Sequence, residues 1–170
     1  KFADATCEYP SQCTRCGKTD GNALGHLYDN DTCIRCGQID PDTLPVNLET
    51  LHIIDSSDFS LENLVTDTYG NTHEVAFRYW AYDAYSTHNL NKEFSTFSGS
   101  IAVSHEGKGG TVRIYVDDKL AYTSELVSRE SYKVDFSINV KNAQKIKITA
   151  SKNGYYSMDS IIIVDAKLYK

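Results

Sequence analysis

The chain has 170 residues, with 23 acidic and 17 basic side chains and a formal net charge of −6 at neutral pH. That balance argues against a nucleic-acid partner, because such proteins present a basic face. No apolar run reaches membrane-spanning length, so membrane insertion is not expected; the longest, Ile161-Ile162-Ile163-Val164, reads as a buried strand.

All five cysteines fall within the first 36 residues: Cys7, Cys13, Cys16, Cys33 and Cys36. Cys13-Thr14-Arg15-Cys16-Gly17 and Cys33-Ile34-Arg35-Cys36-Gly37 are near copies. Two residues between thiolates let one tight turn present both sulfurs to a tetrahedral ion, and the following glycine relieves the backbone where it curls. The spacing of the two knuckles predicts a zinc ribbon over residues 1–41, with zinc on Cys13, Cys16, Cys33 and Cys36. Disulfides are the competing reading, but an odd number of cysteines leaves one thiol over, and so short a segment needs a staple to fold. Cys7 and His26 remain as further potential ligands; His26 could replace a cysteine, but a ring-stacking or surface histidine is the favoured reading. Four basic against six acidic residues in this segment favour a structural or protein-contacting ribbon over a nucleic-acid-binding one.

Asp40-Pro41-Asp42-Thr43-Leu44-Pro45 carries two of the three prolines and reads as a linker. Beyond it, residues 46–54 suggest a first strand, Asp55-Ser56-Ser57-Asp58 a polar turn, and Ser60–Leu64 a weakly helical or irregular stretch. Gly70-Asn71 is a turn signal, after which Val75, Phe77 and Tyr79 alternate with Glu74, Arg78 and Trp80 as in a half-buried strand. Residues 83–89 read as a polar, aromatic loop. Ile101 and Val103 begin a series of alternating strands that continues through Val112/Ile114/Val116, Leu120/Tyr122, Val134/Phe136/Ile138/Val140, Ile146/Ile148 and Ile161–Leu168. Glu106-Gly107-Lys108-Gly109-Gly110 lacks a phosphate-loop ending and reads as a hairpin connection. Repeated short strands without helical periodicity indicate an all-β sandwich.

From residue 46 onward the sequence also resembles a known family. Asp67, Tyr69-Gly70-Asn71, Leu90-Asn91-Lys92, Phe94-Ser95 and Phe97-Ser98-Gly99 carry the resemblance, with Ile114-Tyr115-Val116-Asp117, Leu120, Tyr122-Thr123-Ser124 and the closing Ile163–Tyr169. Together they resemble the NPCBM family, carbohydrate-binding modules found beside bacterial glycoside hydrolases. The resemblance implies a galactose-binding-like jelly-roll β-sandwich over residues 46–170 and a non-catalytic glycan-binding role. It also implies a secreted or cell-surface setting within a larger multidomain chain, and a structural calcium. The acidic pairs Asp55/Asp58 and Asp117/Asp118 offer oxygen ligands for such an ion, although solvated turns also carry pairs of this kind.

No catalytic constellation stands out. His73-Glu74 opens like a metalloprotease motif but lacks the second histidine, and no nucleophile elbow is present. For binding, strand parity places Arg78, Trp80 and Tyr82 on the face opposite Phe77 and Tyr79, next to Tyr85 and His88. Sugar rings offer C–H groups to an aromatic face and hydroxyls to polar side chains, so this patch and the pair Tyr155-Tyr156 are the expected polysaccharide contacts. A protein-interaction or spacer module without glycan binding is the alternative.

Overall fold

The structure, a computed structural model, describes residues 1–29, 32–80, 83–152 and 160–170. It divides into two compact units, Lys1–Leu44 and Pro45–Lys170. No helix among the described residues is long and apolar enough to cross a membrane.

The first unit is built from two-residue and three-residue strands. β1 (Phe2–Ala3), β2 (Ser11–Cys13) and β3 (Thr19–Asp20) form one antiparallel sheet, and β4 (Tyr28–Asp29) pairs with β5 (Thr32–Cys33) in another. With so few residues per strand and most of them exposed, apolar burial contributes little here; the buried side chains among the described residues of the unit are the thiols Cys7 and Cys33.

The second unit is an antiparallel β-sandwich. Its strands are β6 (Val46–Asn47), β7 (Ile53–Ser57), β8 (Phe59–Thr66), β9 (Thr72–Tyr79), β10 (Ala84–Asn89) and β11 (Thr96–Val103). They continue with β12 (Gly109–Val116), β13 (Lys119–Thr123), β14 (Val127–Ser128), β15 (Val134–Asn139), β16 (Lys145–Lys152) and β17 (Ile161–Tyr169). One sheet runs β13-β12-β16-β10-β7, with β14 beside β12; the other runs β15-β11-β17-β9-β8, with β6 beside β17. Alternate residues of the two inner faces fill the core: Phe77 and Tyr79, Phe97 and Ile101, Val112 and Ile114, Ile146 and Ile148, Ile161 and Ile163. Ile162 and Val164 point the other way, into a smaller apolar cluster with Val65, Ala76 and Ala102, so the whole run 161–164 is buried. After it Asp165 adopts a left-handed φ of 53°, and Asp165 and Ala166 together face the single Gly99 across the ladder. This bulge shifts the inward parity from Ile161 and Ile163 to Ala166 and Leu168.

Four local expectations need correction. Residues 55–57 belong to β7, and only Asp58, at φ 50°, makes the turn. Ser60–Leu64 lies in β8, paired with β9 and closed by the turn at 67–71; ladder pairing overrides a weak local preference. Asp67 organises that turn: its buried carboxylate accepts from the Tyr69 and Asn71 amides, Asn71 Nδ2 and His73 Nε2. Burial alone would push this carboxyl up, but those donors together hold it below its usual value. Residues 84–89 form β10, an interior strand between β16 and β7. Finally, the glycine stretch 107–110 joins β11 to β12 across the two sheets, not within a hairpin. A Cβ on Gly109 would overlap the Val127 carbonyl oxygen, and one on Gly110 that of Ser151. These glycines admit close backbone approach where the chain changes sheet.

Candidate functional site

In the first unit four ligand atoms converge. Those of Cys7, His26, Cys33 and Cys36 all lie within 4.8 Å of one another. Cys33 and Cys36 come from the second knuckle, where the Gly37 amide donates to the Cys33 carbonyl. Cys7 arrives on the connection between β1 and β2, held by the Leu24 amide on the Thr6 carbonyl and the Gly25 amide on the Cys7 carbonyl. Arg35 Nη1 donates to the Leu24 and Gly25 carbonyls, fixing the backbone just ahead of His26. The His26 ring stacks on Tyr28 at 5.6 Å between centroids.

The distances suit a tetrahedral ion. Zinc–sulfur bonds of about 2.3 Å and zinc–nitrogen bonds of about 2.0 Å set tetrahedral edges of roughly 3.8 Å between sulfurs and 3.5 Å between sulfur and nitrogen. Cys7 and Cys33 Sγ lie 3.8 Å apart, and Cys36 Sγ lies 3.5 Å from His26 Nδ1. Burial pushes both inner thiols up. At Cys33 the backbone amides of Leu27, Arg35 and Cys36, with His26, overcome it and hold the group at about 5; at Cys7 the neighbouring sulfurs add to burial and push it up to about 11. Crowded sulfurs of this kind are what a cation relieves.

This is not the four-cysteine set expected from spacing. Cys33 and Cys36 belong to the cluster, but Cys7 and His26 fill its other two places, and Cys13 and Cys16 form a separate pair. Spacing identifies the knuckles without saying which ones share an ion; the chain path does that. The odd cysteine count was the available signal for Cys7. The expected calcium finds no comparable set among the described residues. Asp117 accepts the Gln144 and Lys145 amides, Asp118 pairs with Lys145 Nζ at 3.0 Å, Asp55 accepts from Tyr85, and Asp58 from Ser57.

In the sandwich, Trp80 directly follows β9, on the face away from the core, and is 47% exposed. Its amide donates to the Asp58 carbonyl at 3.2 Å, which ties its backbone to the turn between β7 and β8. Tyr85 pairs with Ser57 at the end of β7, and its hydroxyl donates to Asp55 at 2.8 Å, which pushes the phenol up. Lys147 Nζ lies 3.9 Å from the Tyr85 ring centroid, covering one face. Arg78 turns elsewhere: Nη1 pairs with Glu62 at 3.0 Å and Nε donates to Ser160 Oγ. It lines a polar groove of about 260 Å³ with Glu62, Ser104, His105 and Glu106. His88 leaves the patch altogether. It is fully buried, edge-on to Phe59 and Phe77, and burial lowers its imidazole to about 4. Tyr82, Tyr155 and Tyr156 lie outside the described residues. Sequence reasoning missed one exposed aromatic pair, Tyr69 and Tyr132, edge-to-face at 5.3 Å; 63 residues apart, they leave no local signal.

Residues 82–169 match the profile of the NPCBM/NEW2 domain. No curated protein sequence is similar to the chain. Several solved structures share the fold. The CBM51-2 and INT domains of Clostridium perfringens ZmpB align at TM-score 0.64 and 14% identity, over 74% of this chain and 31% of that one. The CBM51 of the C. perfringens GH95 protein, solved with methyl-galactose, aligns at TM-score 0.62 and 15% identity, over 74% and 99%. The tandem CBM51 modules of Sp3GH98, a family 98 glycoside hydrolase from Streptococcus pneumoniae, align at TM-score 0.65 and 14% identity, over 75% and 47%. This chain thus spans about a third of the ZmpB structure and under half of the tandem modules. The fold is the jelly-roll sandwich of these non-catalytic modules, not that of a catalytic domain.

Proposed function

The chain belongs to the NPCBM/NEW2 domain family, and on that footing we propose that residues 45–170 are a non-catalytic glycan-binding module. The parent is a multidomain bacterial protein that acts outside the cell or at its surface, and the first unit is a structural module closed by zinc. One observation carries the glycan reading: the only tryptophan of the chain stands exposed, its backbone tied to the β7–β8 turn at Asp58. Stacking on an indole does not exchange one hydrogen bond for another with water, as hydroxyl contacts do, so an exposed aromatic face contributes more to holding a weak sugar ligand than the hydroxyl contacts around it. Tyr85 takes part at the edge, its hydroxyl already fixed by Asp55 and one face covered by Lys147. Arg78 serves the polar groove, where Nη1 pairs with Glu62 and Nε donates to Ser160 Oγ. The zinc reading rests on the three thiolates and one imidazole at tetrahedral spacing, a set that leaves no open position for chemistry.

The test pairs a glycan array with melting curves on Trp80→Ala. The expected result is binding of the parent to a galactose- or hexosamine-containing glycan, weakened about thirtyfold or more in the variant. Stability should change by no more than about 0.5 kcal/mol, as for an exposed side chain. An array blank for the parent protein would leave the spacer or protein-contact role as the better reading. A variant that binds normally would move the site away from Trp80.

A further inference from the structure

The pair Cys13–Cys16 is built like the knuckle that enters the Cys7–His26–Cys33–Cys36 cluster, down to single hydrogen bonds. The Cys13 amide donates to the Lys18 carbonyl at 2.8 Å, as Cys33 does to Gln38. The Gly17 amide donates to Cys13 at 2.9 Å, as Gly37 does to Cys33 at 2.8 Å, and the two glycines have φ of 73° and 75°. Arg15 and Cys16 turn their amides toward the Cys13 sulfur as Arg35 and Cys36 do toward Cys33.

The correspondence extends to the strand beside each knuckle. Phe2 is the ladder partner of Cys13, and Tyr28 that of Cys33. The Thr14 amide donates to the Lys1 carbonyl at 3.0 Å, and the Ile34 amide donates to the Leu27 carbonyl at the same distance. Lys1 therefore stands where Leu27 stands. The residue that adjoins Leu27 is His26, a ligand. In the first knuckle the same place falls on the residue adjoining Lys1. Arg35 uses its guanidinium to hold the carbonyls of Leu24 and Gly25 ahead of that histidine. Arg15 has the same position in its knuckle, and among the described residues its guanidinium makes neither a hydrogen bond nor an ion pair.

We propose that Cys13 and Cys16 are two ligands of a second tetrahedral zinc site, completed by an imidazole and a thiolate from another copy of this repeat placed ahead of Lys1. The repeat would then pass a ligand pair forward: Cys7 and His26 serve the knuckle that follows them, and Cys13 and Cys16 receive the pair that precedes them. A second molecule of the same chain is the poorer donor, since its Cys7 and His26 already lie in its own cluster. The inference rests on reading that cluster as a metal site. It adds that such units stack as a chain of shared ions, each repeat incomplete alone.

The experiment uses cobalt(II) as the probe, whose visible bands report thiolate and imidazole ligation. Residues 1–26 are duplicated directly ahead of Lys1 in the full chain, with serine replacing the two knuckle cysteines of the added copy. The added copy then supplies only one thiol and one terminal histidine. The parent is expected to bind one cobalt per chain and the extended chain two, both with three-sulfur, one-nitrogen spectra. Cys13→Ser with Cys16→Ser in the extended chain should return the count to one, whereas Cys33→Ser with Cys36→Ser should remove the other ion. No gain on extension, a gain that survives loss of Cys13 and Cys16, or two ions already in the parent would each overturn the proposal. An extended chain holding a single Cys13/Cys16-dependent ion while the parent holds none would support the proposal and refute the cluster reading. Absence of cobalt from both would refute both.

Discussion

Ser86 Oγ lies 2.9 Å from His88 Nε2, wholly inside the sandwich, and 2.7 Å from the Tyr79 hydroxyl. These three polar side chains satisfy one another between the sheets, except that His88 Nδ1 has no partner among the described residues. Protonating His88 would place an unpaired charge in the core. The imidazole accordingly stays neutral down to about 4, against about 6.5 when unfolded. Between those values the unfolded chain binds the extra proton, so stability is full above pH 6.5 and falls as the pH drops toward 4. The loss across that window is of order 3 kcal/mol. His88→Gln, which keeps a hydrogen-bonding group but does not titrate, should flatten the stability curve over that window. Denaturant melts at several pH values measure it, and an unchanged slope would assign the acid sensitivity to other groups.

Gly109→Ala should cost about 3 kcal/mol or more, because its Cβ would strike the Val127 carbonyl and its φ is +100°. Gly70→Ala is the control: its φ is +84°, but nothing lies within 4 Å of the added carbon. It should cost only the backbone strain, about 1 kcal/mol. Equal melting temperatures for the two variants would show that the sheet crossing at 107–110 yields easily.

Removing metal should affect the two units differently. Chelator should expose Lys1–Leu44 to protease while leaving the main melting transition in place, since the described residues of the sandwich gather no cluster of metal donors. Cys7→Ser or His26→Ala should lower bound zinc sharply, whereas Cys13→Ser should leave the ion on Cys33 and Cys36 in place. Elemental analysis of the four proteins reads this directly; zinc lost with Cys13 but kept without Cys7 would restore the four-cysteine arrangement.

Residues 45–170 alone should melt cooperatively, because every strand of both sheets and the whole apolar core lie within them. A broad, non-cooperative transition in that fragment would make the first unit part of its folding.

The sandwich was legible wherever apolar residues alternate, as in β12, β15 and β9, where parity also put Trp80 outside. It was not legible at 84–89. Ser86, Thr87 and His88 have the composition of a surface loop, and only Tyr79, Phe59 and Phe77 across the core show why Ser86 and His88 are buried. The cysteine motif announced metal binding through its spacing, yet the choice of ligands depended on which chain segments the fold lays side by side. Sulfur at one knuckle looks like sulfur at another until Arg35 ties down the backbone before His26.

The bulge at Asp165 means that the last strand is read in two frames, one ending at Val164 and one beginning at Ala166. Drawing this single exposed residue into regular strand geometry would leave the apolar content of the chain untouched. It would nonetheless turn Ala166 and Leu168 outward and bring Lys167 into the interior, a frameshift of side chains without any change of reading frame in the gene. Removing Asp165 outright would keep both halves facing as they do, so what the fold requires of this residue, while it is there, is that it stand outside the ladder.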